Sequence, residues 1–127
     1  MTIDWTRYGF PENCPPSDAR EHQGTIYSFV KNTPPVSEDF RTAHEKGLHL
    51  NGNPCERRAI SCGKTIDYLE NIKKFFPATK GWKKAAGEIT YDDGFIKQTG
   101  SQPLHHSFWI SPEQRDNFNE KFKVIEL

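Results

Sequence analysis

The stretch KAAGEITYDDGFIKQT, Lys84 to Thr99, decides the fold class. Two strand-like runs, Lys84–Tyr91 and Phe95–Thr99, flank Asp92-Asp93-Gly94, and an Asp-Gly pair between such runs is a strong short-range signal for a β-hairpin. An antiparallel pair is therefore expected. Working outward, Thr25-Ile26-Tyr27-Ser28-Phe29-Val30 is rich in β-branched and aromatic residues and runs from Gly24 to the breaker Asn32-Thr33-Pro34-Pro35. Arg58-Ala59-Ile60-Ser61-Cys62 reads as a short strand closed by Gly63, Leu104–Ile110 as another, and the tail Lys121–Leu127 as a terminal edge strand whose lysines discourage intermolecular pairing.

Helices fit between these runs. Ser37 stands where a cap should be, with Glu38 and Asp39 in the first turn of a short helix that fades near Gly47. Thr65 is the expected cap of a longer helix whose Ile66, Leu69, Ile72, Phe75 and Phe76 share one face, read as core, and which Pro77 ends. Ser111-Pro112-Glu113-Gln114 opens a further short helix running to about Asn119. The expectation is a single α+β domain over 24–127, a largely antiparallel sheet of about five or six strands with two or three short helices.

Residues 1–23 carry Pro11, Pro15 and Pro16 and show no period, which suits an irregular arm. Trp5, Tyr8 and Phe10 lie within it, so it should dock on the domain or on a partner. Seventeen Lys plus Arg balance seventeen Asp plus Glu. A neutral chain has no long-range field to draw in nucleic acid, which is not an expected partner despite the basic residues between Arg57 and Lys84. No apolar run nears the roughly 18 residues of a membrane span, and Met1–Phe10 does not resemble a signal peptide, so a soluble, cytoplasmic protein is expected. Cys14, Cys55 and Cys62 lack CxxC spacing, and buried free thiols are the simplest reading.

The most unusual local feature is His105-His106-Ser107-Phe108-Trp109. Neighbouring strand residues point to opposite faces, so only one of His105 and His106 should enter a given site, where it would act as an acid or base on a hydroxyl such as Ser107 or Thr99. The bland alternative is a histidine hydrogen-bonded to a loop carbonyl. His44 and His49 lack the one-face spacing of a metal helix, so no metal site is expected. Glu88 is the only acid in a sheet run and is read as facing water. Gly63-Lys64-Thr65 is too short a signal for a phosphate loop.

The order of the strand Ile26–Val30, the strand Arg58–Ser61, the helix Thr65–Phe76 and the strand Ala85–Tyr91 resembles the early layout of compact ADP-ribosyltransferase-like domains, over about half the chain. The resemblance implies a split antiparallel sheet that clasps NAD, with Tyr27 packing on the nicotinamide and Ser61 holding a ribose. The ExE motif of such domains is missing, and Ser28 stands where many members have an arginine.

Two function classes follow. The first is a non-enzymatic accessory, inhibitor or immunity-type module, needing no cofactor, that binds a protein partner through Trp5, Tyr8, Phe10, Trp82 and Trp109, since aromatic anchors carry much interface energy. It requires a contiguous exposed aromatic patch. The second is a small NAD-using transferase or hydrolase with His105 or His106 as its acid/base in a cleft, together with Tyr27 and Ser61. It requires those residues to converge.

Overall fold

Alternation of buried and half-exposed side chains along Gly24–Val30 shows how strands form here: Ile26, Ser28 and Val30 turn inward while Tyr27 and Phe29 stand on the opposite face. The computed structural model describes residues 3–79 and 81–125. In chain order the strands are β1 (Arg20–Glu21), β2 (Gly24–Val30), β3 (Ile60–Cys62), β4 (Lys83–Ile89), β5 (Gly94–Gln98), β6 (His106–Ile110) and β7 (Phe122–Val124). The α-helices are α1 (Ala43–Lys46) and α2 (Asp67–Phe75), and 3-10 turns fill several connections. The domain is α+β, with an antiparallel four-stranded sheet ordered β1-β5-β6-β3 and a three-stranded sheet ordered β2-β4-β7. Among the described residues no helix is long and apolar enough to cross a membrane.

The expected Lys84–Thr99 hairpin does not form. β4 pairs with β2 and β7 while β5 pairs with β1 and β6, so the Asp-Gly segment carries the chain from one sheet to the other. The reason lies in Asp93, which is almost wholly buried. Its carboxylate accepts from the Thr90 amide and hydroxyl and pairs with Lys121, winding Tyr91–Asp93 into a 3-10 turn. Gly94 then adopts φ +153° directly beneath the Trp109 carbonyl, where a Cβ would collide.

Local chemistry redraws other boundaries. The helix expected from Ser37 to Gly47 splits into a 3-10 turn, Ser37–Phe40, and the single turn α1. Asp39 causes the break by accepting from the amides of Lys31 and Val36, which ties the turn back to β2. α1 has its own capping box, Thr42 with Glu45, and ends at Gly47 in the left-handed region. α2 starts without a side-chain cap, so Thr65 does not take the role expected of it. Only its first turn is deeply buried, through Tyr68 and Leu69, while Phe75 and Phe76 are exposed. Pro112–Lys121 forms 3-10 rather than α turns, and Glu126 and Leu127 of the expected terminal strand lie outside the described residues.

The two faces of the four-stranded sheet carry separate cores. Phe108, Ile110, Ile96, Ile60 and Cys62 face the three-stranded sheet and pack with Ile26, Val30, Phe40, Phe118 and Phe122. Trp109, with Phe95 packed against it, looks the other way onto the arm residues Trp5, Cys14 and Ala19. The arm is therefore part of the domain, and β1 within it pairs with Phe95 and Ile96. Cys14 and Cys55 form a disulfide across 41 positions of sequence, which corrects the reading of both as free thiols. Spacing between cysteines does not reveal a pair brought together by tertiary docking.

Candidate functional site

β3 is short because Gly63, immediately after it, leaves one sheet to touch the other. Tyr27 and Gly63 exchange both backbone hydrogen bonds, at 2.8 and 3.0 Å, and the Ser28 hydroxyl donates to the Ser61 carbonyl at 3.0 Å. Gly63 has no Cβ because Tyr68 of α2 packs against that spot. The two sheets therefore meet, and divide, beside Ser61.

Ser61 sits between two buried neighbours, Ile60 and Cys62, so its own side chain faces outward and is exposed. Ser107 is its partner across the strands. On this face His105 Nε2 lies 3.0 Å from Ser61 Oγ, and His105 Nδ1 lies 3.0 Å from the Thr99 carbonyl oxygen. A carbonyl only accepts, so Nδ1 holds the ring proton, Nε2 is the acceptor, and the Ser61 hydroxyl donates to it. The Thr99 hydroxyl joins the network, 3.2 Å from Nδ1 and 2.7 Å from Ser107 Oγ. This is a serine held by a histidine whose far nitrogen is oriented by a carbonyl, the arrangement that activates hydroxyl nucleophiles and orients general bases.

The loop that carries His105 is fastened from within. Gln98 Nε2 lies 3.1 to 3.3 Å from the carbonyls of Thr99, Gly100 and Gln102, and the His105 amide donates to Gln102. Tyr68 flanks the pair with its ring 6.0 Å from that of His105. Burial pushes the Tyr68 phenol well above its ordinary range. Gln98 and Tyr68 escaped the sequence reading. A glutamine at a strand end and a tyrosine on a helix give no signal until the loop closes over them.

His106 goes to the opposite face, as strand alternation requires. It stands across from Cys62, and its Nδ1 donates to the Leu104 carbonyl at 3.1 Å. Burial, then the nearby Lys64 charge and the neighbouring His105, hold its pKa below the ordinary value against that one supporting bond. His22 is lowered in the same way, by burial and then by Lys64 and His106, and its buried Nε2 has no hydrogen-bond partner among the described residues. Cys62 is a buried free thiol pushed up to about 12 by burial, which leaves it inert at neutral pH. Tyr27 is half-buried on β2, its backbone in contact with Gly63. Glu88 is exposed and accepts from the Thr25 hydroxyl at 2.6 Å. Among the described residues no group of three or more His, Cys, Asp or Glu side chains is arranged to hold a metal ion.

The aromatic residues expected to meet a partner divide. Trp109 is 0 % exposed, its indole donating to the Cys55 carbonyl at 2.9 Å, and Trp5 is 8 % exposed. Both are core residues and neither offers a ring to a partner, because the arm has docked on its own domain. Phe10 is half-buried against Trp5, at 4.9 Å between ring centroids. Trp82 is half-buried against Phe29 with the Lys31 ammonium 5.0 Å from its ring. Tyr8 alone of the five is exposed, at 56 %. No protein-family model matches the chain, and neither the curated proteins nor the solved structures give a match.

Proposed function

We propose that the chain is a small hydrolase or transferase whose base is His105, with Ser61 beside it holding the substrate, and that its substrate is NAD. The observation that carries the reading is the 3.0 Å hydrogen bond from Ser61 to a histidine whose other nitrogen is fixed by the Thr99 carbonyl. The division of the sheet beside Tyr27 and Gly63 supports the resemblance to ADP-ribosyltransferase-like domains. In this reading Ser61 holds a ribose hydroxyl. The N-glycosidic bond breaks with its electron pair leaving on nicotinamide. The oxygen of water or of an acceptor bonds to the freed carbon, and its proton passes to His105 Nε2.

Saturation-transfer NMR with NAD, its fragments and a non-nucleotide control tests this. Transfer to NAD is expected in the wild type, and its loss in Ser61→Ala and His105→Ala but not in His106→Ala. No transfer to any nucleotide from folded protein overturns it.

A protein-binding module is the second reading, favoured by the exposed adjacent pair Phe75 and Phe76 at the end of α2. Its anchors are then those two rings in place of Trp5 and Trp109, and Phe75→Ser with Phe76→Ser should abolish co-purification of a partner. A cytoplasmic location remains part of the proposal only if Cys14 and Cys55 stay reduced in the cell, because disulfides persist in oxidising compartments. Alkylation of free thiols at lysis, followed by mass spectrometry, distinguishes the two states.

A further inference from the structure

A cavity of about 270 Å³ lies away from Ser61, where the arm, α1, β6 and the turn after β6 meet. Tyr8, Phe10, Ile110 and Pro112 supply an apolar wall. Arg58 lines it as well, and its guanidinium is only partly satisfied. Nη1 donates to the Pro54 carbonyl at 2.8 Å, while the buried Nε has no partner among the described residues. Nε is enclosed by protein, so an acceptor in the cavity would meet the outer edge of the guanidinium, which carries only the one bond to Pro54 among the described residues.

The neighbouring charges leave Arg58 available. Arg115 is held by Glu45 at 2.7 Å. Burial alone would raise the Glu45 pKa, but Arg115 and the Thr42 amide outweigh it and hold the carboxylate below its ordinary range, so this pair cancels. Asp116, also lining the cavity, is exposed. His44, also lining the cavity, has its pKa lowered by slight burial and then by Arg58 and Arg57, against the opposing charge of Glu45.

We infer that this cavity binds a small organic carboxylate, with its apolar body against Tyr8, Phe10 and Ile110 and its carboxylate on Arg58. The volume is at or below the lower end of the roughly 300–1,000 Å³ of ordinary small-molecule sites, which restricts the ligand to single-ring or short-chain size. A phosphate ester of similar size offers the same oxygens but carries a second charge close to Asp116 and Glu45. The single charge of a carboxylate suits the site better.

Amide-detected NMR titration of the intact, oxidised protein with phenylacetate, 2-phenylethanol and inorganic phosphate tests the assignment. Phenylacetate should give saturable shifts at Tyr8, Phe10, His44 and Ile110 in the millimolar range. 2-Phenylethanol, which lacks the charge, should bind roughly tenfold more weakly, and so should Arg58→Gln and Tyr8→Ala proteins titrated with phenylacetate. Tyr8 is exposed, so its truncation keeps the test usable if Arg58→Gln does not fold. Ser61→Ala should bind phenylacetate as the wild type does, which separates this site from the one proposed for NAD. No saturable shift in the wild type overturns the inference. Equal binding of the neutral alcohol, preference for phosphate, or unchanged binding in a folded Arg58→Gln or Tyr8→Ala protein does so too.

Discussion

The two faces of the four-stranded sheet bury comparable aromatic mass by different means. On the inner face Phe118 sits among Phe40, Phe108 and Phe122 with ring centroids 5.3 to 5.5 Å away, and nothing but packing holds them. On the outer face Trp109 and Trp5 belong to a cluster that a disulfide closes and that an indole hydrogen bond to Cys55 orients. An arm without long strands or helices has few backbone bonds of its own. A covalent link does there what a neighbouring sheet does on the inside.

The sharpest way to break the comparison is to remove the centre of the inner face. Phe118→Ala should cost about 3–5 kcal/mol, since it leaves a cavity bounded by three rings that cannot collapse together, and denaturant unfolding reads it. The outer face should respond next. Replacing both Cys14 and Cys55 by serine should cost about 2–4 kcal/mol through the longer loop released in the unfolded chain. Reductant should reproduce that loss in the wild type and do nothing to the double variant. The Phe118→Ala deficit should be the same with and without reductant. If reductant erases it, the two faces are one cooperative unit and the comparison fails.

This contrast also explains what was legible beforehand. The strands Gly24–Val30 and Ile60–Cys62 follow from composition and from burial that alternates every second residue, whereas His106–Ile110 follows from its β-branched and aromatic composition alone, since both its faces are covered. Asp92-Asp93-Gly94 misled because hairpin preference is local, whereas Asp93 answers to Lys121, twenty-eight residues away. Cys14 with Cys55 and Trp109 with the arm are long-range in the same sense. In the candidate site, strand alternation separated His105 from His106 correctly. The approach of His105 to Ser61 depends on a loop whose closure by Gln98 has no sequence signature.

That loop offers a smaller perturbation. Gln98→Ala removes donors to carbonyls at the protein surface, where water replaces them, so stability should fall by only about 0.5–1.5 kcal/mol. The effect on the pair should be larger than the effect on the fold. With the loop loosened, His105 Nδ1 loses its fixed carbonyl, and the Nδ1-protonated tautomer should no longer dominate in ¹⁵N spectra of the imidazole. An unchanged tautomer ratio would mean that Thr99 and the strand end position His105 without help from Gln98.

The smallest expected effect is a pH dependence to which the inner side of the β3–β6 pair contributes His106 and His22, and α1 the slightly buried His44. His106 and His22 both have folded-state pKa values below their ordinary 6.5, because burial and the Lys64 charge disfavour the imidazolium. The unfolded chain therefore binds protons at a higher pH than the folded one does. Their contribution is present in full above about pH 6.5 and is lost as pH falls below it, with a slope no steeper than about 1.4 kcal/mol per pH unit for each histidine. Glu45 and Asp18 also have lowered values, but as carboxylates they act only below about pH 4.5, so the windows separate. His106→Asn should flatten the decline between pH 6.5 and 5 and leave the acid limb unchanged. Ser61→Ala, on the other face of the same strands, should leave both limbs as they are. A change in the upper window on replacing Ser61 would show that the two faces share a proton network through the sheet.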